Sequence, residues 1–176
     1  MANREALREL QTRLASRLKA ARLEGASVAW LAVRVGGNNL LLPLAQSGEI
    51  YPLTNFQAVP YARSWFRGVL NIRGGLYGVV DLADFIAQSG GSARTEPPAT
   101  DLSVVTINVT LEVNCALQID GLLGLRGADA FVSSFPPEQG APVYFGNRFV
   151  DASGGRWQEI DLRILSQTPQ FLNISA

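Results

Sequence analysis

The sequence contains no histidine and only one cysteine, Cys115, among its 176 residues. The lack of histidine excludes a Ser-His-Asp triad, a histidine general base and any histidine metal ligand. A single cysteine excludes a disulfide framework and a cysteine-rich zinc site. Because Cys115 lies in an apolar segment with no histidine to activate it, we expect a core thiol rather than a nucleophile. We therefore expect no catalytic residue, no metal and no cofactor.

The sequence also lacks long apolar runs, and its formal net charge is zero. No stretch of 18 apolar residues occurs, which argues against a transmembrane helix. The N-terminus lacks the apolar core of a secretory signal. The 15 basic and 15 acidic residues balance, so we expect no nucleic acid partner and no direct membrane insertion. Hydrophobic residues make up 47% of the chain, enough for a sizeable core, and a cytoplasmic protein is predicted.

The N-terminal segment, residues 3–24, is predicted to form one amphipathic helix that ends at Gly25. Four leucines recur at spacings of three and four residues and so share one face: Leu7, Leu10, Leu14 and Leu18. An isolated helix of this length is marginal in water, so the leucine face needs a surface to cover. That surface is either the chain's own domain or a partner, and the sequence leaves both alternatives open.

After Gly25 the pattern changes to short apolar runs separated by turn residues, which predicts strands. The predicted strands are 28–35, 40–45, 47–51, 66–72, 76–82, 103–109, 113–119, 122–125, 143–150 and 156–160. Residues 36–39, Gly-Gly-Asn-Asn, are typical of a hairpin turn. Short helices are predicted to begin near Asp81 and within residues 161–171.

The polar segment 88–101 is predicted to be a loop between two halves of the β region. Many short strands with glycine-rich turns favour small barrels over α/β layers. We therefore predict three parts: an N-terminal helix over 1–24, a β domain over 25–165 with a first barrel mainly in 25–90 and a second mainly in 100–160, and a C-terminal short helix and tail over 161–176.

Groups that could carry chemistry have simpler structural explanations. The glycines between positions 74 and 78 match neither a dinucleotide-binding loop nor a Walker loop, and tight turns explain them better. The acidic pairs at 81/84 and 159/161 are expected to cap helices or to lie at solvated strand ends. A glycosidase would need two carboxylates in one cleft, and no pattern indicates such a cleft.

The segment 59–82, VPYARSWFRGVLNIRGGLYGVVDL, is the most distinctive part of the sequence. Val59-Pro60 opens it, Asn71-Ile72-Arg73-Gly74 ends one predicted strand, and Val79-Val80-Asp81-Leu82 ends the next. Further matching segments are Leu42-Pro43-Leu44, Gly48-Glu49-Ile50 and Ala116-Leu117-Gln118-Ile119-Asp120. Over about residues 28–165 the chain resembles the CheW-like adaptor domains of bacterial chemosensory systems. Its N-terminal helix and the segments 157–162 and 171–174 resemble the twitching-motility, PilI-type branch.

The resemblance implies a mainly β fold of two SH3-like five-stranded β-barrels that share an apolar core. It also implies a non-catalytic adaptor without a cofactor. The implied partners are the regulatory domain of a CheA-type histidine kinase and the cytoplasmic tip of a chemoreceptor. In that case the protein is held near the membrane through receptor arrays, and its output is twitching motility driven by type IV pili.

The resemblance implies two sets of site residues. The receptor-binding set is Ser47, Glu49, Gly68, Asn71, Arg73 and Gly74, and the kinase-binding set is Leu122 and Leu123. Glu49 is expected to pair with Arg73, although a turn arginine held by backbone carbonyls is an alternative. Gly68 and Gly74 either permit tight corners or allow close approach by the receptor. Core packing is an alternative for both leucines.

Other functions remain open at this point. A general flagellar-type coupling protein would have the same signature. A β-barrel sensor of small ligands without kinase contact would need a buried polar cluster. An enzyme that uses only carboxylates would need two of them to converge in a cleft.

Overall fold

Two β-sheets with an apolar core between them make up most of the computed structural model, which describes residues 2–24 and 28–176. The helices are α1 (Ala2–Glu24), α2 (Leu82–Gln88), α3 (Leu162–Gln167) and α4 (Pro169–Leu172). The strands are β1 (Val28–Val35), β2 (Asn38–Pro43), β3 (Ser47–Pro52), β4 (Phe66–Ile72), β5 (Gly75–Asp81), β6 (Ser103–Ile107), β7 (Cys115–Ile119), β8 (Gly121–Gly127), β9 (Phe131–Phe135), β10 (Phe145–Asp151) and β11 (Arg156–Ile160).

One sheet has six strands in the order β8-β1-β2-β11-β10-β9, and the other has five in the order β3-β6-β7-β5-β4. The pairs β2–β11 and β5–β7 are parallel, and the other neighbours are antiparallel. The prediction of a mainly β fold with two five-stranded units that share an apolar core is confirmed, although one sheet has a sixth strand.

The strands of the two sheets are interleaved along the chain, unlike the predicted division into consecutive barrels at 25–90 and 100–160. The first two strands, β1 and β2, pair with strands from the C-terminal half. Likewise β6 and β7 complete the sheet that contains β3, β4 and β5. The difference arises because both parallel pairs join distant segments, and hydrophobic periodicity carries no information about which strand is the neighbour.

The central strands of each sheet have buried residues on both faces. The faces that meet form the shared core, which includes Val33, Val105 and Leu117. The opposite face of the five-stranded sheet encloses a second cluster: Leu70, Val79, Val104 and Ala116. The opposite face of the six-stranded sheet encloses a third: Ala32, Leu41 and Trp157. Burial on both faces explains why β6 and β7 are buried at all five positions and have no polar alternation.

Local sequence signals account for several of the element ends. The spans of β1, β4 and β11 agree with the predicted strands. The side chain of Asp81 caps α2 by accepting a hydrogen bond from the N–H of Asp84 at 3.2 Å. Asp161 caps α3 in the same way. Cys115 is buried, and burial raises the pKa of its thiol, which agrees with the predicted core thiol.

Helix α1 lies against β3 and β8, an edge strand of each sheet. The side-chain amide of Gln11 donates a hydrogen bond to Ser103 Oγ at 3.1 Å. Leu14 is partly buried, whereas Leu10 is 52% exposed. The side chains of Leu7 and Leu18, and Gly25 as a whole, lie outside the described residues. The helix therefore contacts its own domain and leaves part of its leucine face exposed at Leu10.

Candidate functional site

The turn between β4 and β5 presents Arg73. Ile72 pairs with Gly75, so Arg73 and Gly74 form a two-residue hairpin connection. Both have positive φ, 50° and 83°, as a type I′ turn requires. Asn71 Oδ1 accepts a hydrogen bond from the N–H of Gly74 at 3.0 Å. Asn71 therefore stabilises the turn from which the Arg73 side chain extends.

Arg73 pairs with Glu49 on β3, as predicted. The guanidinium Nη1 lies 3.2 Å from Glu49 Oε2. β3 and β4 are the two outer strands of the five-stranded sheet, so this contact links the β4–β5 turn to the opposite edge strand of the sheet. The side chains are 74% and 52% exposed, so the pair contributes roughly 0–1 kcal/mol to stability. Its main effect is to fix the geometry of an exposed charged surface.

Tyr51 completes this surface, and the sequence reasoning missed it. Its hydroxyl donates a hydrogen bond to Glu49 Oε2, and the Arg73 guanidinium carbon lies 5.8 Å from the ring centroid. Residues two apart on a strand share a face, so the position of Tyr51 after Glu49 was a usable signal. Desolvation of the phenol and the hydrogen bond to Glu49 raise the pKa of Tyr51 to about 12.

The tyrosine contact predicts a measurable titration. In a pH titration followed by phenolate absorbance, Tyr51 is expected to ionise near 12, and Glu49→Gln is expected to lower that value because it removes the negative charge. Tyr51→Phe identifies the transition. Tyr144 also has a pKa raised to about 12, by burial, and is expected to be unaffected by Glu49→Gln. An unchanged Tyr51 transition in Glu49→Gln would contradict the contact.

A β-bulge positions Glu49. The register of β3 against β6 shifts between Ser47 and Ile50. Thr106 Oγ1 accepts a hydrogen bond from the N–H of Glu49 at 2.8 Å. The same hydroxyl lies 3.3 Å from the carbonyl oxygen of Glu49 and donates to it. A Cβ on Gly48 would lie 2.1 Å from that hydroxyl, so the glycine lets Thr106 hold the bulge.

Ser47 does not belong to the exposed surface. Its exposed fraction is 0%, and its hydroxyl donates a hydrogen bond to the carbonyl oxygen of Pro43 at 2.9 Å. The prediction of a receptor-contacting Ser47 side chain therefore needs correction. Ser47 lies at the start of β3 with its side chain toward the interior, before the bulge that presents Glu49.

Gly68 is covered by the chain itself. It is buried with φ of 146°. Gln57 and Val69 exchange two backbone hydrogen bonds of 2.8 Å across it. A Cβ on Gly68 would lie 2.1 Å from the Gln57 carbonyl oxygen. Of the two sequence interpretations, tight packing applies to Gly68 and close approach by a receptor does not. Gly74 differs, since a Cβ there has no atom within 4 Å.

The two leucines predicted to bind a kinase have different environments on β8. Leu122 is partly buried against the shared core and pairs with Val33 of β1. Leu123 is 37% exposed. Core packing therefore accounts for Leu122, and Leu123 is the one of the two with an exposed side chain.

The chain is similar to known proteins both in sequence and in fold. A family model described as "CheW-like domain" matches residues 29–131, more than half of the chain. The chain belongs to the CheW-like domain family. It is 27% identical over 131 residues to Protein PilI of Pseudomonas aeruginosa, covering 73% of this chain and 70% of that protein. Its fold is similar to that of scaffolding protein TtCheW from Thermoanaerobacter tengcongensis, with a TM-score of 0.64 and 14% identity over 80% of this chain and 93% of that chain.

As a CheW-like domain the chain is a non-catalytic scaffold, as predicted. Such domains couple kinases and receptors in general. Within residues 2–24 and 28–176, no three His, Cys, Asp or Glu side chains are grouped as metal ligands. None of the helices in those ranges has the length and apolarity needed to span a bilayer.

Arg94 is a key residue of this CheW-like domain that sequence reasoning missed. From the polar loop after α2, its Nη2 lies 3.0 Å from Asp81 Oδ1 and its Nη1 lies 3.1 Å from Asp120 Oδ2. Asp120 also accepts a hydrogen bond from the N–H of Gly36 in the β1–β2 turn. Gln118 donates to Asp81 at 3.1 Å. We call these three charged residues, Asp81, Arg94 and Asp120, the arginine clamp.

The arginine clamp explains the two Val-Asp or Ile-Asp endings in the sequence signature. Asp81 ends β5 of the five-stranded sheet, and Asp120 lies where the chain passes from β7 to β8 of the other sheet. The side chains of Arg94, Asp81 and Asp120 are only 22%, 9% and 11% exposed. Arg94 therefore joins the ends of strands from both sheets and fixes the loop between them.

Proposed function

We propose that this protein couples the cytoplasmic tip of a chemoreceptor to the regulatory domain of a CheA-type histidine kinase, in an array that controls twitching by type IV pili. The exposed Glu49–Arg73 pair within the CheW-like signature carries the receptor part of this proposal. The similarity to PilI over 73% of the chain supports the twitching output.

The surface around Glu49 suits a helical receptor tip. Glu49, Tyr51 and Arg73 border a shallow groove that offers both charges. Val109 in the same groove is 74% exposed. An apolar side chain beside a fixed ion pair matches an amphipathic helix, which carries apolar and charged residues on neighbouring faces. We assign Asn71 and Gly74 to support of this surface rather than to direct contact.

The kinase contact is proposed at Leu123, on the edge strand β8 of the six-stranded sheet. The two proposed surfaces lie on different sheets, so one chain could hold both partners together. The proposed location is the cytoplasm, next to the membrane, where the receptor tips anchor the array.

Binding of both purified partners tests the proposed coupling. We expect the chain to bind a receptor-tip fragment and the kinase's regulatory domain separately, and to form a ternary complex in size-exclusion chromatography. Expression in a Pseudomonas aeruginosa strain without PilI separates the outputs, and we expect the twitching zone to be restored with swimming unchanged. In a strain that lacks its flagellar coupling protein instead, restoration of swimming without any restoration of twitching in the first strain would indicate a flagellar-type coupling protein. Binding of neither partner would refute the proposed function.

Charge exchange tests the Glu49–Arg73 pair. Glu49→Arg and Arg73→Glu are each expected to weaken binding of the receptor tip, because each replaces the ion pair with two like charges on facing side chains. The double exchange is expected to restore binding at least in part, as measured by calorimetry. Arg148→Glu, on the other sheet, serves as the matched control and should leave receptor binding unchanged. Failure of the double exchange to recover any affinity would argue against a role for the pair.

A further inference from the structure

Four strands lie at the edges of the two sheets, and β9 differs from the other three. Helix α1 contacts β3 and β8, and Gln57 forms a bridge to Val69 on the outer side of β4. β9 pairs with β10 alone. Within residues 2–24 and 28–176, no second strand and no isolated bridge lies on its other side. The free edge of β9 therefore offers peptide N–H and C=O groups to another strand.

β9 also lacks the residues that keep an edge strand from pairing. Its sequence, Phe-Val-Ser-Ser-Phe, contains no charge and no proline. Val132 is 68% exposed and Phe135 is 48% exposed. Each of the other three outer strands carries a charged side chain, at Glu49, Arg67 and Arg126. Native proteins usually protect an open edge with charges, prolines or a cover, so an uncharged, partly apolar edge indicates a strand that pairs.

Two copies of β9 are complementary to each other. In an antiparallel pair centred on Ser133, Phe131 of one copy lies opposite Phe135 of the other, and Val132 lies opposite Ser134. The two phenylalanines share one face of the strand, and opposite aromatic residues stabilise an antiparallel pair. A two-fold axis requires a surface that complements itself. A neutral strand whose sequence is nearly the same in both directions meets that requirement, which favours a second copy of the chain as the partner.

The strand is fixed in place before any partner binds. β9 pairs with β10 at four positions. The ring of Phe131 lies 5.8 Å from that of Trp30 and 5.0 Å from that of Phe149, measured between centroids. A strand that is already formed loses less conformational entropy on association. Pro136 and Pro137 follow β9 directly, and because proline has no N–H they limit the pairing to the five residues of the strand.

We propose that β9 is a self-association edge, at which two copies of this chain pair antiparallel around a two-fold axis through Ser133. Five residues are expected to bury less area than the roughly 1,200–2,000 Å² of a stable interface. The dimer is therefore weak and reversible, with a Kd above about 1 μM. Neither the Glu49–Arg73 pair nor Leu123 belongs to β9, so the association does not depend on the proposed function.

Charges on the exposed face of β9 test the pairing and its register. Val132→Lys and Ser134→Glu each place a charge diagonally across the axis from its own copy, and each is expected to raise the dimer Kd by about fivefold or more. An equimolar mixture of the two variants is expected to recover association, because the introduced lysine lies directly opposite the introduced glutamate. Sedimentation velocity of the full chain over a concentration series measures both effects. Val143→Lys, at an apolar residue that is 73% exposed and lies outside β9, is the matched control.

Several results would overturn this inference. The unaltered chain could remain a monomer throughout the series, or both charged variants could dimerise as well as it does. Lack of recovery in the mixture would contradict the register, and growth beyond a dimer would contradict the closed two-fold pairing. Because Val132 and Ser134 are exposed, unchanged melting temperatures are expected to separate lost pairing from misfolding. Binding of the receptor tip and of the kinase domain by these variants is expected to be unchanged, so failure here leaves the proposed function standing.

Discussion

Replacement of Arg94 by alanine is expected to lower the free energy of unfolding by about 3 kcal/mol. The guanidinium bridges Asp81 and Asp120, whose side chains are 9% and 11% exposed. Without Arg94, two largely buried carboxylates would face each other with no cation between them, and loss of one partner is costly in such a network. Urea unfolding followed by fluorescence of the buried Trp65 and Trp157 measures the loss.

Arg73→Ala provides the matched control for Arg94→Ala. It removes an arginine–carboxylate contact of similar length, 3.2 Å, but one whose side chains are more than half exposed. Solvent screening limits its expected cost to less than about 1 kcal/mol. The two variants should then differ in what they impair. Arg73→Ala is expected to weaken receptor binding, and Arg94→Ala is expected to lower the free energy of unfolding. Equal, small losses of stability in both variants would contradict the central position of the arginine clamp.

The success of strand prediction depended on clear turn residues at the strand ends rather than on burial. β1 ends before Gly36-Gly37 and β4 ends before Arg73-Gly74, and both spans were predictable, whereas the completely buried β6 and β7 are shorter than predicted. β9, with the sequence Phe-Val-Ser-Ser-Phe, was missed because it is a short outer strand with two serines. The pairing of β2 with β11 joins Leu40 to Gln158. No local pattern specifies so distant a contact, so the interleaving of the sheets was not predictable.

The candidate site was predictable where it coincides with a recognisable turn. The Arg73-Gly74 turn and its contact with Glu49 followed from the resemblance, and the alternation of β3 would have added Tyr51. Arg94 was not predictable, because it lies in a loop of small and polar residues and is one of 14 arginines. Its role depends on two aspartates that come together only after both sheets have formed. The burial of Ser47 was also not predictable, because it depends on a bulge in β3 that leaves no clear pattern in the sequence.

Gly68→Ala is expected to lower the free energy of unfolding by about 4 kcal/mol, the sum of backbone strain and overpacking. At φ of 146° an L-residue is strained, and the added Cβ would lie 2.1 Å from the Gln57 carbonyl oxygen and 3.0 Å from Ala58 Cα. These are backbone atoms, so no side-chain rotation relieves the clash. The segment around Gln57 must move away, which breaks two hydrogen bonds to Val69.

Gly74→Ala is the matched control for Gly68→Ala. Gly74 also has positive φ, 83°, but a Cβ there meets nothing within 4 Å. Its expected cost is therefore backbone strain alone, about 1 kcal/mol, and urea unfolding of both variants measures the difference. A Gly68→Ala variant as stable as Gly74→Ala would mean that the Gln57 segment packs loosely on β4. Gly68 would then be open to a partner after all.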